Sequence, residues 1–401
     1  METKEMKGIT LVALVVTIVV LLILAGVSIN LVLGDNGIIT RAKEAREKSA
    51  EATENDLKGL NGIIDQIDAA LEESTYPETV PYLPSDDFHY DESTSVDTGL
   101  VIQDSDGNEY VWVVVPRRKS IYKTTGLGKT EFTQEDYENI KGDLMKYVNT
   151  VEGIFYHPHS ILNDEAYCNM LKSIYLNGGF YVGRYEAGIE ENRTSSSEDA
   201  TIVPVSKPSV YPYTYVTLSQ AYKLARSVNS GDYTSNLLYG IQFELVMKFM
   251  SNDTSKITST DVLKTDSKSI GNYRDSSFDL DRGKYAQYGQ LTSEWNDFDK
   301  ELGTIVVKNE KTGKMQKKEQ SENKNSILLT TGATEHSRVM NIYDMAGNVG
   351  EWLYESTINA YGNPCPFTGG RYFDYKVQVY RTVPTTLSDS DSDIGFRVAI
   401  Y

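Results

Sequence analysis

Apolar residues fall along this chain in three regimes. From Ile9 to Leu33 they are nearly continuous and carry no charge, a run long enough to cross a bilayer as one helix. After a Gly34-Asp35-Asn36-Gly37 break the pattern turns charged, and Leu57, Leu60, Ile64, Ile67 and Leu71 recur at alternating three- and four-residue steps. That spacing predicts a helix with one narrow apolar stripe, suited to a stalk packing on a neighbour or on its own domain. Pro77, Pro81 and Pro84, with acidic and Ser/Thr residues up to Thr98, predict a linker. From Gly99 the pattern becomes that of a globular domain. "GLVIQDSDGNEYVWVVVP" sets two apolar runs around Asp106-Gly107, which predicts a β-hairpin. "GGFYVGRYEAG" reads as a strand, and Leu218, Ala221, Tyr222 and Ala225 stripe a helix within Val216–Val228. A second helix, Gly240–Met250, presents Phe243, Val246, Met247 and Met250. Between Asn252 and Gln320 the sequence is polar and is read mostly as loop, with a turn at Thr312-Gly313. The divisions that follow are 1–8, 9–33, 34–75, 76–98 and 99–401.

Charge and composition narrow the function. Against 39 basic residues stand 57 acidic ones, a net charge of −18, so nucleic acid is not expected as a partner. The two cysteines, Cys168 and Cys365, make neither a disulfide scaffold nor a zinc spacing; whether they pair stays open. Asp104, Asp106 and Asn108 suggest a calcium loop, but Gly107 stands at its fourth place rather than its sixth, and no glutamate closes it. "TTGLGKT" lacks the first glycine of a phosphate loop, since Lys123 stands there. His157-Pro158-His159 reads as an exposed turn rather than a metal site. Tyrosine is abundant, at 28 residues, and suits both strands and recognition surfaces.

The N-terminal run is too long for a cleavable secretory signal, and Lys4 and Lys7 before it favour a cytoplasmic N-terminus. Lys7-Gly8-Ile9-Thr10-Leu11 followed by an apolar helix resembles a type IV prepilin leader. The resemblance implies cleavage between Gly8 and Ile9 by a prepilin peptidase, a place among pilins, and a bacterial cell-surface location with the bulk of the chain outside. Ala13 stands where the family carries a glutamate used in filament assembly. That departure favours a minor, tip or pseudopilin role, or membrane anchoring through Ile9–Leu33 alone; a plain single-pass anchor remains the alternative.

The domain from Gly99 to Tyr401 resembles the formylglycine-generating enzyme (sulfatase-modifying factor) family. The elements that carry the likeness are Phe180-Tyr181-Val182-Gly183-Arg184-Tyr185-Glu186, the two helices, Tyr343-Asp344-Met345-Ala346-Gly347-Asn348-Val349-Gly350-Glu351-Trp352, Gly369-Gly370-Arg371 and Gly395-Phe396-Arg397-Val398. The resemblance implies an α+β class, an elaborated C-type lectin fold. It also implies a structural calcium ion held by the Asp344 and Glu351 side chains and the Gly347 and Val349 carbonyls, a chemically sound oxygen set; the alternative is that Asp344 and Glu351 only cap the turn. Gly350 replaces the family's usual tryptophan, which predicts a local gap or turn.

The family's oxidation needs a cysteine pair after the Gly-Gly-Arg element, because a thiolate is the reactive species. The stretch "GGRYFDYKVQVYRTVPTTLSDSDSDIGFRV" contains none, so no catalytic residue is assigned. The stretch is instead dense in aromatic and small polar residues, the makings of an adaptable contact surface. Tyr372, Asp374, Tyr375, Tyr380, Ser388, Asp389, Ser390, Asp391 and Asp393 are therefore the candidate ligand-binding residues, with Phe373 beside them, for a protein or glycan ligand. The alternative is strand residues followed by a solvated Ser/Asp loop. The same stretch is the variable region in similar ligand-binding proteins of diversity-generating retroelements, and its residue types suit that origin. Two further alternatives stay open: an enzyme with displaced chemistry dependent on Cys168 or Cys365, and a structural minor pilin.

Overall fold

The computed structural model describes residues 15–22, 76–149, 164–197, 199–228, 231–276, 278, 280–287, 295–297, 306–308, 315–317, 326–354, 365–375, 379, 383–386 and 388–401. The chain divides into two compact units, Met1–Glu73 and Ser74–Tyr401. In the first, residues 15–22 are helical and exposed. The rest of the Ile9–Leu33 span, the Gly8–Ile9 junction and the stalk stripe lie outside the described residues, among which no helix is long and apolar enough to cross a membrane.

The second unit is a mixed α+β fold. Its strands are β1 (His89–Tyr90), β2 (Val101–Gln103), β3 (Glu109–Val114), β4 (Gly179–Gly183), β5 (Gly188–Ile189), β6 (Tyr211–Pro212), β7 (Ser235–Leu237), β8 (Lys284–Gln287), β9 (Trp295–Asp297), β10 (Val306–Lys308), β11 (Met315–Lys317), β12 (Ile327–Leu329), β13 (Gly350–Trp352), β14 (Cys365–Thr368), β15 (Val383–Thr385), β16 (Ile394–Gly395) and β17 (Val398–Ile400). Its helices are α1 (Gln134–Tyr147), α2 (Glu165–Asn177), α3 (Leu218–Arg226), α4 (Gly240–Met250) and α5 (Thr260–Lys264).

The main sheet has the order β1-β2-β3-β4-β17-β7 and is antiparallel throughout. Its β2–β3 pair is the hairpin expected around Asp106-Gly107, closed by Asn108 N–H donating to Asp104 Oδ1 at 2.8 Å. The uninterrupted apolar run of β3 has a simple cause: the sheet is covered on both faces, so alternate residues enter different cores. Val111 and Val113 join Val182, Ile174 and Val246 beneath α1, α2 and α4. Tyr110 and Trp112 join Tyr181, Leu224, Trp352 and Phe396 on the α3 side, where the Trp112 and Tyr181 rings meet edge to face at 4.8 Å.

Helices α3 and α4 fall where the apolar stripes place them. Thr217 caps α3 and Gln220 reaches back to the Thr217 N–H at 2.9 Å, a reciprocal capping box. Helix α4 buries residues around most of its circumference, including Ile241, Phe243, Leu245, Val246 and Phe249, as a helix inside a core must. Helices α1 and α2 were not anticipated. Both start on side-chain caps, Thr133 with Asp136 for α1 and Asp164 for α2. Helix α2 ends at Gly178, whose φ of +70° suits a glycine. The polar region after Asn252 also holds more order than expected, namely α5 and strands β8 to β11. The β10–β11 pairing encloses the Thr312-Gly313 turn position, itself outside the described residues.

A second sheet, β15-β14-β13-β16, lies near the chain's end. In it β13 pairs with β14 antiparallel and with β16 parallel. The gap expected at Gly350 is filled: a Cβ there would come within 2.5 Å of the Phe367 ring. A third sheet has the order β12-β8-β9.

Candidate functional site

The loop from Tyr343 to Val349 carries the most specific motif of the domain, and its backbone explains the residue types. Asp344, Gly347 and Asn348 all have positive φ, at 57°, 74° and 59°, a region that Asn, Asp and Gly enter most readily. Gly347 has a second constraint, since a Cβ would lie 2.2 Å from the Asn272 carbonyl oxygen. The Asn348 amide is satisfied at every position. Its Nδ2 donates to Glu186 Oε2 at 2.8 Å and Leu329 O at 3.1 Å, and its Oδ1 accepts from Asn272 Nδ2 at 3.0 Å and Leu329 N at 2.9 Å. It thereby ties the β4–β5 connection, β12 and the loop together.

Around Asn348 three carboxylates are buried. Glu351 is paired with Arg397: Nε donates to Oε1 at 2.9 Å and to Oε2 at 3.2 Å, and Nη2 to Oε1 at 2.6 Å. Arg397 also donates to the Gly183 carbonyl at 2.9 Å and the Tyr343 carbonyl at 2.8 Å. Asp344 accepts from Gly332 N–H and Ser337 Oγ, both at 2.6 Å. Glu186 accepts from Asn348 and from Val349 N–H at 3.2 Å. Burial pushes the Glu186 carboxyl well above the ordinary range, and the nearby Asp344 and Glu351 charges push it further. Burial likewise raises Asp344 and Glu351, although Arg397 opposes it in both.

This arrangement does not fit the calcium ion that the resemblance implies. Both Glu351 oxygens face a guanidinium, which repels a dication, and both Asp344 oxygens accept from protein donors. Among the described residues no group of three or more His, Cys, Asp and Glu side chains is arranged to hold a metal. Asp344 and Glu351 are cross-links of the core, and Val349 and Gly347 serve it through their N–H groups.

The terminal stretch hangs directly on this hub. Tyr372 N–H donates to the Asn348 carbonyl at 2.8 Å, and Gly350 N–H to the Asp393 carbonyl at 2.9 Å. Tyr372 itself is only 1% exposed and packs with Leu328 and Val349, so its ring belongs to the core and not to an outer face. Asp374 and Asp393 are also buried, and both pair with Arg371. The outward-facing members are Tyr375, 44% exposed, with Ser388 and Asp391. Asp389 and Ser390 are half-buried, and Asp389 accepts from Thr386 N–H at 3.0 Å and Thr386 Oγ1 at 2.8 Å. Tyr380 lies outside the described residues.

Residues from elsewhere complete the face. The Arg274 guanidinium lies 5.3 Å above the Tyr375 ring, and Tyr215 N–H donates to the Asp391 carbonyl at 3.0 Å. Neither Arg274 nor Tyr215 has a sequence signal, whereas Arg371 follows Gly369-Gly370 within the stretch itself. A separate cleft of about 300 Å³, lined by His89, Asp91, Glu109 and Arg184 among others, contains none of the candidate residues. Cys168 is half-buried, and burial, then Asp164 and Glu165, push its thiol pKa up. That is the reverse of an activated thiolate. The Cys365 side chain and His157–His159 lie outside the described residues.

No family model matches the chain, and no curated protein is significantly similar to it. Among solved structures the chain is similar to one titled as the crystal structure of CarF, at 15% identity with a TM-score of 0.29, covering 55% of this chain and 85% of that one. It is also similar to Treponema denticola variable protein 1, at 15% identity with a TM-score of 0.28, covering 55% of this chain and 84% of that one.

Proposed function

We propose that this chain is a recognition protein that binds a protein or glycan ligand non-covalently through the terminal stretch of a lectin-like domain. The observation that supports this reading is the division of labour within the stretch. Tyr375, Ser388 and Asp391 are exposed while their neighbours Tyr372, Asp374 and Asp393 are buried in a fixed frame. Such a surface combines a rigid amphipathic ring with adaptable hydrogen-bonding groups. The apolar Ile9–Leu33 run would hold the domain at a bacterial surface, after prepilin-peptidase cleavage between Gly8 and Ile9, as an anchor or a minor pilus subunit. A stretch diversified by a retroelement is compatible with the same frame, because its outward side chains do not hold the fold.

The test is a screen of the full chain, in detergent, against glycan and protein arrays, with Tyr375→Ala beside it. Specific capture by the parent that Tyr375→Ala loses supports the reading. Capture by neither, or equal capture by both, removes the terminal stretch as the binding face.

A further inference from the structure

The terminal stretch has two ends that lie far apart in sequence but close in space, and one side chain joins them. Arg371 N–H and Nε donate to Asp374 Oδ2 at 3.0 and 3.3 Å, and Nη2 to Asp374 Oδ1 at 3.3 Å. The remaining arm, Nη1, donates to Asp393 Oδ2 at 2.8 Å, 22 residues further on. The guanidinium carbon Cζ sits 4.5 Å from the Phe373 ring centroid and 5.5 Å from that of Phe367. The three charged groups are largely withdrawn from water, with side-chain exposures of 23% for Arg371, 9% for Asp374 and 7% for Asp393. Only a forked, planar cation can serve two carboxylates and stack on rings at once; an ammonium is a point charge. Backbone bonds from outside the stretch brace both ends. Arg274 N–H donates to the Asp374 carbonyl at 3.0 Å, and Tyr215 N–H reaches the Asp391 carbonyl.

We infer that Arg371 is a positioning residue: with Asp374 and Asp393 it forms a clasp that closes the terminal stretch, leaving Tyr375, Ser388 and Asp391 to determine specificity. The inference rests on the recognition reading above for its functional meaning, while the clasp itself stands on the geometry. It divides the stretch into two classes. Changes at Tyr375, Ser388 and Asp391 alter what is bound and leave the frame intact. Changes at Arg371, Asp374 or Asp393 loosen the frame and weaken every ligand alike.

Hydrogen–deuterium exchange on the full chain tests the clasp without any ligand. Arg371→Lys keeps the charge and loses the fork, and is expected to raise exchange ~10-fold or more in peptides covering 372–375 and 388–393, while the β3–β4 core is unchanged. Asp393→Asn, which removes one arm, gives a smaller local increase and serves where Arg371→Lys fails to fold. The triple variant Tyr375→Ala/Ser388→Ala/Asp391→Ala stays within about 2-fold of the parent throughout. Unchanged exchange in both Arg371→Lys and Asp393→Asn, or loosening by the triple variant equal to theirs, overturns the clasp. On the arrays, Arg371→Lys should lower all signals together and Tyr375→Ala should change which are seen; the reverse pattern overturns the assignment of roles. A parent chain that captures nothing defeats the recognition reading and leaves the exchange result standing.

Discussion

At the scale of single residues, the fold turns on buried side chains that each bond several separate segments at once. Asn348 makes four such bonds with both its donors and its acceptor, and Arg397 reaches Glu351 and two backbone carbonyls. The motif residues of Gly-Asn-Val-x-Glu-Trp and Gly-Phe-Arg are thus joined in one buried ion pair, exposed by 0% and 3% at Arg397 and Glu351. Removing one partner strands a charge beside Asp344 and Glu186. Arg397→Leu is therefore expected to cost about 3–5 kcal/mol, and Arg397→Leu/Glu351→Leu less, because the double change removes both charges. Urea unfolding of the three proteins measures this. Equal losses in the single and double variants would show that the orphaned charge is not what costs.

At the scale of elements, periodicity located what it could. Helix α3 was legible from its stripe and α4 from its apolar face, whereas α1 and α2 were not, because their start signals are caps. Thr133 with Asp136, and Asp164, can be recognised as N-caps only once the chain after them is known to be helical. Strands β8 to β11 escaped for another reason. They are short and sit in polar sequence without a clear apolar alternation, and β8 is further held by β12, about 40 residues on in the chain. Helix α4 also carries a pH dependence. Burial raises the Glu244 carboxyl to about 7 from 4.5, against a smaller opposing effect of Lys264. The folded chain therefore holds this proton to higher pH than the unfolded chain. Its contribution is complete below about pH 4.5 and is lost as pH rises through about 7, a change of roughly 3 kcal/mol. Glu244→Gln should flatten the fall in melting temperature between those pH values and raise stability at pH 8. A profile parallel to the parent's would exclude Glu244 as its source.

At the scale of the whole molecule, the last strand decides the architecture. β17 enters the main sheet between β4 and β7, with Ala399 opposite both Val182 and Asn236, and the stretch before it is thereby drawn back over the loop that holds Asn348. This placement separates two tyrosines that the sequence presents alike. Tyr372→Ala removes a buried ring and should cost about 3–5 kcal/mol, whereas Tyr375→Ala should change stability by less than about 0.5 kcal/mol. Chemical denaturation compares them, and similar losses would contradict the placement of Tyr375 on the surface. The sequence by itself determined the hairpin at Asp106-Gly107, the two striped helices, the tight Asp344–Asn348 turn and the aromatic, polar character of the terminal stretch. Each of these follows from local spacing or from what one residue type permits its own backbone. Only the tertiary structure decided that Asp344 and Glu351 cross-link a core where calcium was expected, that Phe367 fills the space over Gly350, and that Arg371 joins Asp374 to Asp393. Those outcomes depend on which distant group arrives beside each charge or gap, and burial then sets what that group is worth.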